Sequence, residues 1–204
     1  MTGVQTCALP IYIYYFVRFI HLMSGGRVIW RGGHVEDVDQ IIYNEGGTVE
    51  IEGDFDNGGK TYVNEKGSTL IIRGGTFKGG IDNYGTLIIE GGTIDGGQNP
   101  GLINRPDATA TIENSVIKND DSNADEILNY DKGKLVIGND TEVGENGEGC
   151  IWSETDVWIE GGVRVMDIHI KRGATIHVIG KLRDRKSTRL NSSHIGSSRM
   201  PSSA

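Results

Sequence analysis

The amino-acid sequence predicts an all-β protein, a right-handed parallel β-helix (solenoid) of about seven or eight short coils with three strands per coil. Three observations predict it. An apolar–variable–apolar pattern recurs about every 20 residues from Arg27 onward. Asparagine recurs at one fixed position within that repeat. Glycine is abundant and proline is rare, with 31 residues against 4. Periodic glycine without regular proline is typical of neither collagen nor simple disorder.

The first strand of each coil carries the apolar pattern. Its eight segments begin at Val28, Val49, Leu70, Leu87, Ala110, Leu135, Val157 and Ile176. Alternation with a period of two residues indicates a short strand with one face in a core and one face outward. Stacking of coils then places Leu70 beside Leu87 and Ile72 beside Ile89, so we predict that all four are nearly fully buried.

A second strand follows each glycine-rich corner, where glycine permits the positive φ of a turn. Its inward residues are predicted to be Val35, Phe55, Phe77, Ile94, Val116 and Val143. No helical periodicity of useful length interrupts the strands, so a βαβ arrangement is disfavoured. A β-sandwich of hairpins is the rival architecture, but it does not explain a constant phase for asparagine.

A third, shorter segment in each coil ends in asparagine. The residues at this phase are Asn44, Asn64, Asn83, Asn104 and Asn129. A buried amide without partners costs about 1–3 kcal/mol, so an inward asparagine needs a bonding partner in the next coil. We therefore predict a stacked internal ladder with a structural role, in which Asn44 and Asn129 end the column.

Both ends of the chain are expected to be foreign to the protein. The codons of a standard short-read sequencing adapter encode Thr2–Ile11, and those of its partner adapter encode Asp184–His194. A signal peptide and a disordered linker are the alternatives. The expected organisation is adapter translation at 1–11, an uncertain leader, out-of-frame segment or degraded coil at 12–26, a β-helix fragment at 27–183, and disordered adapter translation at 184–204.

The charge balance and the cysteines exclude several classes of protein. The formal net charge is −8, and removing the +3 contributed by residues 184–204 leaves −11. Nucleic-acid affinity comes mainly from Lys and Arg, so we expect no nucleic-acid partner. Cys150 is alone once Cys7 is assigned to the adapter, which leaves no disulfide framework or cysteine-based zinc site in the fragment. No stretch approaches the roughly 20 apolar residues of a membrane helix, and no cofactor is expected.

One run of residues resembles a known group of proteins. The segment 83–94, NYGTLIIEGGTI, resembles the Gly-rich repeats of bacterial surface proteins with the pectin-lyase-like β-helix fold, which are common in large adhesin-like proteins of gut bacteria. Segments 156–162 and 174–182 are similar to the closing coils of such domains, so the resemblance covers about 27–182. It implies a secreted or cell-surface structural or adhesive module, a glycan or a host or cell-surface protein as partner, and more coils in the full-length protein.

The same fold also carries polysaccharide lyases and glycoside hydrolases, so a fragment of such an enzyme is the alternative function. Hydrolysis needs two carboxylates, and Asp120 and Asp121, in the longest insertion between coils, are the best candidates. The Gly-His-Gly turn and the Arg-Ile-Lys triplet of the polygalacturonases in this group do not occur. We find no complete catalytic constellation, and a solvated acidic loop is the favoured interpretation.

Two other groups of residues are candidates for binding. Asp54, Asp56 and Glu65 fit several positions of an EF-hand calcium loop, but the flanking helices are missing and a glycine replaces one oxygen ligand. A strand end and corner of the repeat is therefore favoured over a calcium site.

The variable outward position of the first strand carries a second candidate. Ile71, Ile88, Val136 and Trp158 share this position and are predicted to form an apolar stripe. The stripe either binds a glycan or partner or is covered by a loop or another domain, and the covered interpretation is favoured.

Overall fold

A computed structural model describes residues 16–33, 38–121 and 124–180. Over these residues the chain is an all-β solenoid of about seven turns, built from parallel sheets. The predicted fold class is confirmed. The predicted adapter segments, 1–11 and 184–204, lie outside the described residues, as does Val35.

The first sheet has eight parallel strands, each from a successive coil. They are β2 (Arg27–Trp30), β4 (Thr48–Ile51), β7 (Thr69–Ile72), β10 (Thr86–Ile89), β13 (Thr109–Glu113), β16 (Lys134–Gly138), β19 (Val157–Ile159) and β21 (Ile176–Val178). Every strand contains one of the apolar–variable–apolar segments. The register places Leu70 beside Leu87 and Ile72 beside Ile89. These four side chains are fully buried, as predicted.

The second sheet has five strands and follows the glycine corners. They are β5 (Phe55–Asp56), β8 (Thr76–Lys78), β11 (Gly92–Asp95), β14 (Ser115–Lys118) and β17 (Glu142–Val143). Its inward side chains continue the core: the rings of Phe55 and Phe77 stack at a centroid distance of 4.8 Å. A short 3-10 helix, Glu145–Gly147, follows β17.

The third sheet has six strands, and four of them end in predicted asparagines. The strands are β6 (Tyr62–Asn64), β9 (Ile81–Asn83), β12 (Leu102–Asn104), β15 (Ile127–Asn129), β18 (Cys150–Ser153) and β20 (Asp167–Ile170). A two-stranded parallel sheet, β1 (Phe16–Leu22) with β3 (Val38–Asn44), lies at the start. Strand β1 belongs to segment 12–26, and it pairs in register with β3 as the strand of a coil does.

One inward residue of the second sheet was predicted wrongly. Ile117 is fully buried and pairs with Ile94, whereas Val116 pairs with the outward Thr93 and is only partly buried. In the two preceding coils the inward residue follows five positions after the last inward residue of the first sheet, as Phe77 follows Ile72. The same five-residue spacing from Ile112 gives Ile117, so the spacing identifies the inward residue correctly.

The corner between the first and second sheets explains the periodic glycine. Gly75 has φ +76°, and a Cβ at this position would lie 2.4 Å from the backbone of Gly53 in the preceding coil. Both the positive φ and the close stacking of corners therefore require glycine. In a later coil Asn114 takes the left-handed conformation instead, with φ 50°, which asparagine tolerates better than most residues.

Candidate functional site

A continuous chain of side-chain hydrogen bonds runs along the inside of the third sheet. Each asparagine donates its amide to the side-chain oxygen of the next coil: Asn64 to Asn83 at 2.7 Å, Asn83 to Asn104 at 2.8 Å, Asn104 to Asn129 at 2.8 Å, and Asn129 to the Ser153 hydroxyl at 2.9 Å. All five side chains are fully buried. The coils are thus joined by polar side chains as well as by backbone pairing.

The second amide proton of Asn64, Asn83 and Asn104 is donated to a backbone carbonyl at the start of a strand of the first sheet. Asn64 donates to the Thr86 carbonyl at 3.0 Å, Asn83 to the Thr109 carbonyl at 3.1 Å, and Asn104 to the Lys134 carbonyl at 3.2 Å. Each of these side chains therefore satisfies two groups of the next coil, and this is a structural role.

The ends of this ladder differ from the prediction. Asn44 does not continue it: its amide bonds both the N–H and the carbonyl of Gly47 in its own corner, at 2.8 and 3.0 Å. Among the residues that the structure describes, the buried Asn64 Oδ1 atom has no hydrogen-bond partner. At the other end the chain passes Asn129 and reaches Ser153. On the far side of Asn44 the register partner is Leu22, which offers no polar group.

The two catalytic candidates lie on the loop after β14. Asp120 is exposed, and its backbone N–H donates to the Gly97 carbonyl at 2.6 Å, while Asp121 is partly exposed. The last acidic side chain of this insertion is buried: Glu126 is only 9% exposed, and its Oε2 accepts the Cys150 N–H at 2.5 Å. Glu126 thereby satisfies the backbone of the next coil.

Cys150 lies beside these acids, and its surroundings disfavour the thiolate. Burial, followed by the negative charges of Glu126, Asp125 and Asp167, raises the pKa of its thiol. The thiolate is the reactive form of cysteine, so this shift lowers the reactivity of the thiol.

The calcium candidates are not brought together. Asp54 accepts the Thr76 N–H at 2.8 Å, and Asp56 accepts the Gly58 N–H at 2.9 Å and faces the Lys78 ammonium at 3.6 Å. Glu65 follows β6 at a different corner. Within the described ranges, no group of three or more His, Cys, Asp or Glu residues could hold a metal ion.

The predicted apolar stripe occupies a single outward column, but Thr111 divides it. Ile71 pairs with Ile88 on one side of Thr111, and Val136 pairs with Trp158 on the other. All are partly buried. Trp158 stacks on His177 with centroids 4.9 Å apart and planes 9° apart. The stripe is therefore two short apolar patches on the first sheet.

A second outward surface, which the sequence analysis did not single out, lies on the third sheet. We call it the aromatic strip: Tyr84, Arg105, Tyr130 and Trp152. The Arg105 guanidinium lies 5.4 Å from the Tyr84 ring centroid and 5.3 Å from that of Tyr130. The Tyr130 and Trp152 rings meet edge to face at 5.9 Å. Tyr84 is 40% exposed at one end of the strip.

Asp82 fixes the arginine of the aromatic strip. Its two carboxylate oxygens accept Nε and Nη2 of Arg105 at 2.6 and 2.9 Å, in a bidentate pair. This hydrogen bonding raises the pKa of Arg105, which remains a cation between two rings. The signal for the strip was present in the sequence, because Tyr84, Arg105 and Tyr130 each follow a ladder asparagine directly.

The outer face of the second sheet is occupied by opposite charges on neighbouring coils. Lys78 lies 3.6 Å from Asp56, and Lys118 lies 3.1 Å from Asp95. The hydrogen bond that Lys118 donates to Asp95 raises the pKa of Lys118.

Comparison with family models, with curated proteins and with solved structures found no significant match to this chain. Among the described residues, no helix has the length and apolar character needed to cross a membrane.

Proposed function

We propose that the protein is a non-enzymatic structural or adhesive repeat module of a secreted or cell-surface bacterial protein. The observation that supports this proposal most is that the inward and outward faces of the coils differ in how their residues repeat. Inward positions repeat the same few residues, in apolar columns and in the asparagine ladder. Outward positions vary from coil to coil, as expected for a scaffold that displays side chains.

The coils suit a stiff spacer. Seven steps between the eight strands of the first sheet correspond to a rod of roughly 34 Å at the usual strand spacing of about 4.8 Å. The central coils are tied to one another by backbone pairing on three sides and, from Asn64 to Ser153, by buried side-chain amides. Such a rod holds outward residues at fixed spacing, which is useful for display and does not require catalysis.

A product-release assay tests this proposal against the enzyme alternative. The purified protein is incubated with polygalacturonate, xylan, mannan and cellulose, and reducing ends and unsaturated products are measured over a day. We expect no release above the buffer control, and the same result for the Asp120→Asn/Asp121→Asn variant. Product that is released by the wild type and lost in this variant would establish a hydrolase or lyase.

A further inference from the structure

We infer that the aromatic strip of the third sheet binds a neutral oligosaccharide, an inference that rests on the adhesive role proposed above. The first argument is the chemistry of the rings. Sugar rings have apolar C–H faces bordered by hydroxyl groups, and they need aromatic surface and hydrogen-bonding groups side by side. Tyr and Trp provide an apolar body with a polar tip, and Tyr84, Tyr130 and Trp152 occupy successive or alternate coils of one face.

The second argument is the polar group held between the rings. Arg105 has five N–H donors, and Asp82 uses two of them. The other three have no partner among the residues that the structure describes, and the side chain is 30% exposed. Because the bidentate pair and the two tyrosine rings fix the guanidinium, little conformational entropy is lost when these donors bind a hydroxyl group.

The third argument is charge. Asp82 neutralises Arg105, and at the neighbouring coil Glu154 lies 3.5 Å from Lys171. These two ion pairs therefore add no net charge at the strip, on a chain whose formal net charge is −8. A polyanion such as polyuronate or nucleic acid meets the repulsion of the whole chain and finds no excess of cations here. A neutral sugar chain meets neither obstacle.

The size of the strip favours an oligosaccharide over a protein partner. From Tyr84 to Trp152 the strip spans three coil steps, roughly 14 Å at a strand spacing of about 4.8 Å, which suits a short oligosaccharide lying along the rod. A standard protein interface uses about 20–30 residues on each side, far more than the strip offers. Within the described part of the chain, no arginine lies over the Trp158 ring as Arg105 lies over Tyr84 and Tyr130, so Trp158 serves as the control position.

Isothermal titration of the full chain with cellohexaose, xylohexaose, mannohexaose and hexagalacturonate tests the inference. We expect at least one neutral hexaose to bind with a Kd below about 1 mM, and hexagalacturonate to bind at least tenfold more weakly. Tyr84→Ala and Trp152→Ala should each weaken binding about tenfold or more, and Tyr84→Phe, which keeps the ring, should retain most of it. Trp158→Ala should bind like the wild type. Far-UV circular dichroism and thermal unfolding verify that each variant is folded.

Several outcomes would overturn the inference while leaving the proposed function standing. The first is that no neutral hexaose binds at 5 mM ligand. The second is that hexagalacturonate binds more tightly than the neutral hexaoses. The third is that the affinity falls in Trp158→Ala and not in Tyr84→Ala. Self-association that Tyr84→Ala abolishes would assign the strip to a second copy of the chain. Failure of the proposed function would look different, because it would show as products in the release assay.

Discussion

Replacing Asn83 with alanine perturbs the centre of the asparagine ladder. Asn83 accepts from Asn64 at 2.7 Å and donates to Asn104 at 2.8 Å and to the Thr109 carbonyl at 3.1 Å. The change leaves buried polar groups unpaired in the coils on both sides. Each costs about 1–3 kcal/mol, partly relieved by relaxation, so we expect a loss of about 3–5 kcal/mol in the free energy of unfolding.

Asn44→Ala is the matched comparison. It removes only the two bonds to Gly47 within one corner, so the expected loss is about 1–3 kcal/mol and smaller than that for Asn83. Thr86→Ala, at an exposed side chain in the same coil as Asn83, is the control and should change stability by less than about 0.5 kcal/mol. Equilibrium unfolding in urea, followed by circular dichroism, gives the three values. Equal, near-zero losses for Asn83→Ala and Asn44→Ala would refute a structural ladder.

Three further expectations concern the core and the last coil. Leu87→Ala should cost roughly 2–5 kcal/mol in urea unfolding, because the side chain is fully buried, and a loss under about 0.5 kcal/mol would contradict the register. Tyr62→Phe should leave stability unchanged or raise it by up to about 1 kcal/mol, since the hydroxyl is buried without a partner; a marked loss would reveal one. The Thr175 N–H, and then His177, hold the pKa of Asp156 below its usual value. The contribution of Asp156 is therefore present above its unfolded-state pKa and lost as pH falls through the lowered pKa, so acid should reduce hydrogen-exchange protection of Thr175 in the wild type but not in Asp156→Asn.

The inward half of the molecule could be predicted because it is repetitive. A period of two residues and a repeat of about 20 determine which side chains stack, and Leu70 and Leu87 follow directly from it. The error at Val116 came from choosing the first apolar residue after the corner, where the spacing from Ile112 indicates Ile117. Corner length, rather than composition, sets the phase of the second strand.

The ends of the ladder and the outward surface were harder to predict. Whether Asn44 reaches Asn64 depends on the geometry of its corner, where Gly47 takes both of its bonds. The aromatic strip joins residues about 20 positions apart, so its members are neighbours only once the coils are stacked in register. Each outward residue is compatible with the fold by itself, and repetition alone therefore does not distinguish a binding surface from a solvated one.

The most direct test of the account is hydrogen exchange of the asparagine side-chain amides, measured by NMR on the uniformly ¹⁵N-labelled chain. The ladder places the Asn64, Asn83 and Asn104 amides in the buried core, each donating to the next coil. These amides should exchange far more slowly than that of the exposed Asn99, and Asn83 should show NOE contacts to both Asn64 and Asn104. Side-chain amides at these positions that exchange as fast as Asn99, without contacts between coils, would contradict the stacked solenoid on which the proposed function depends.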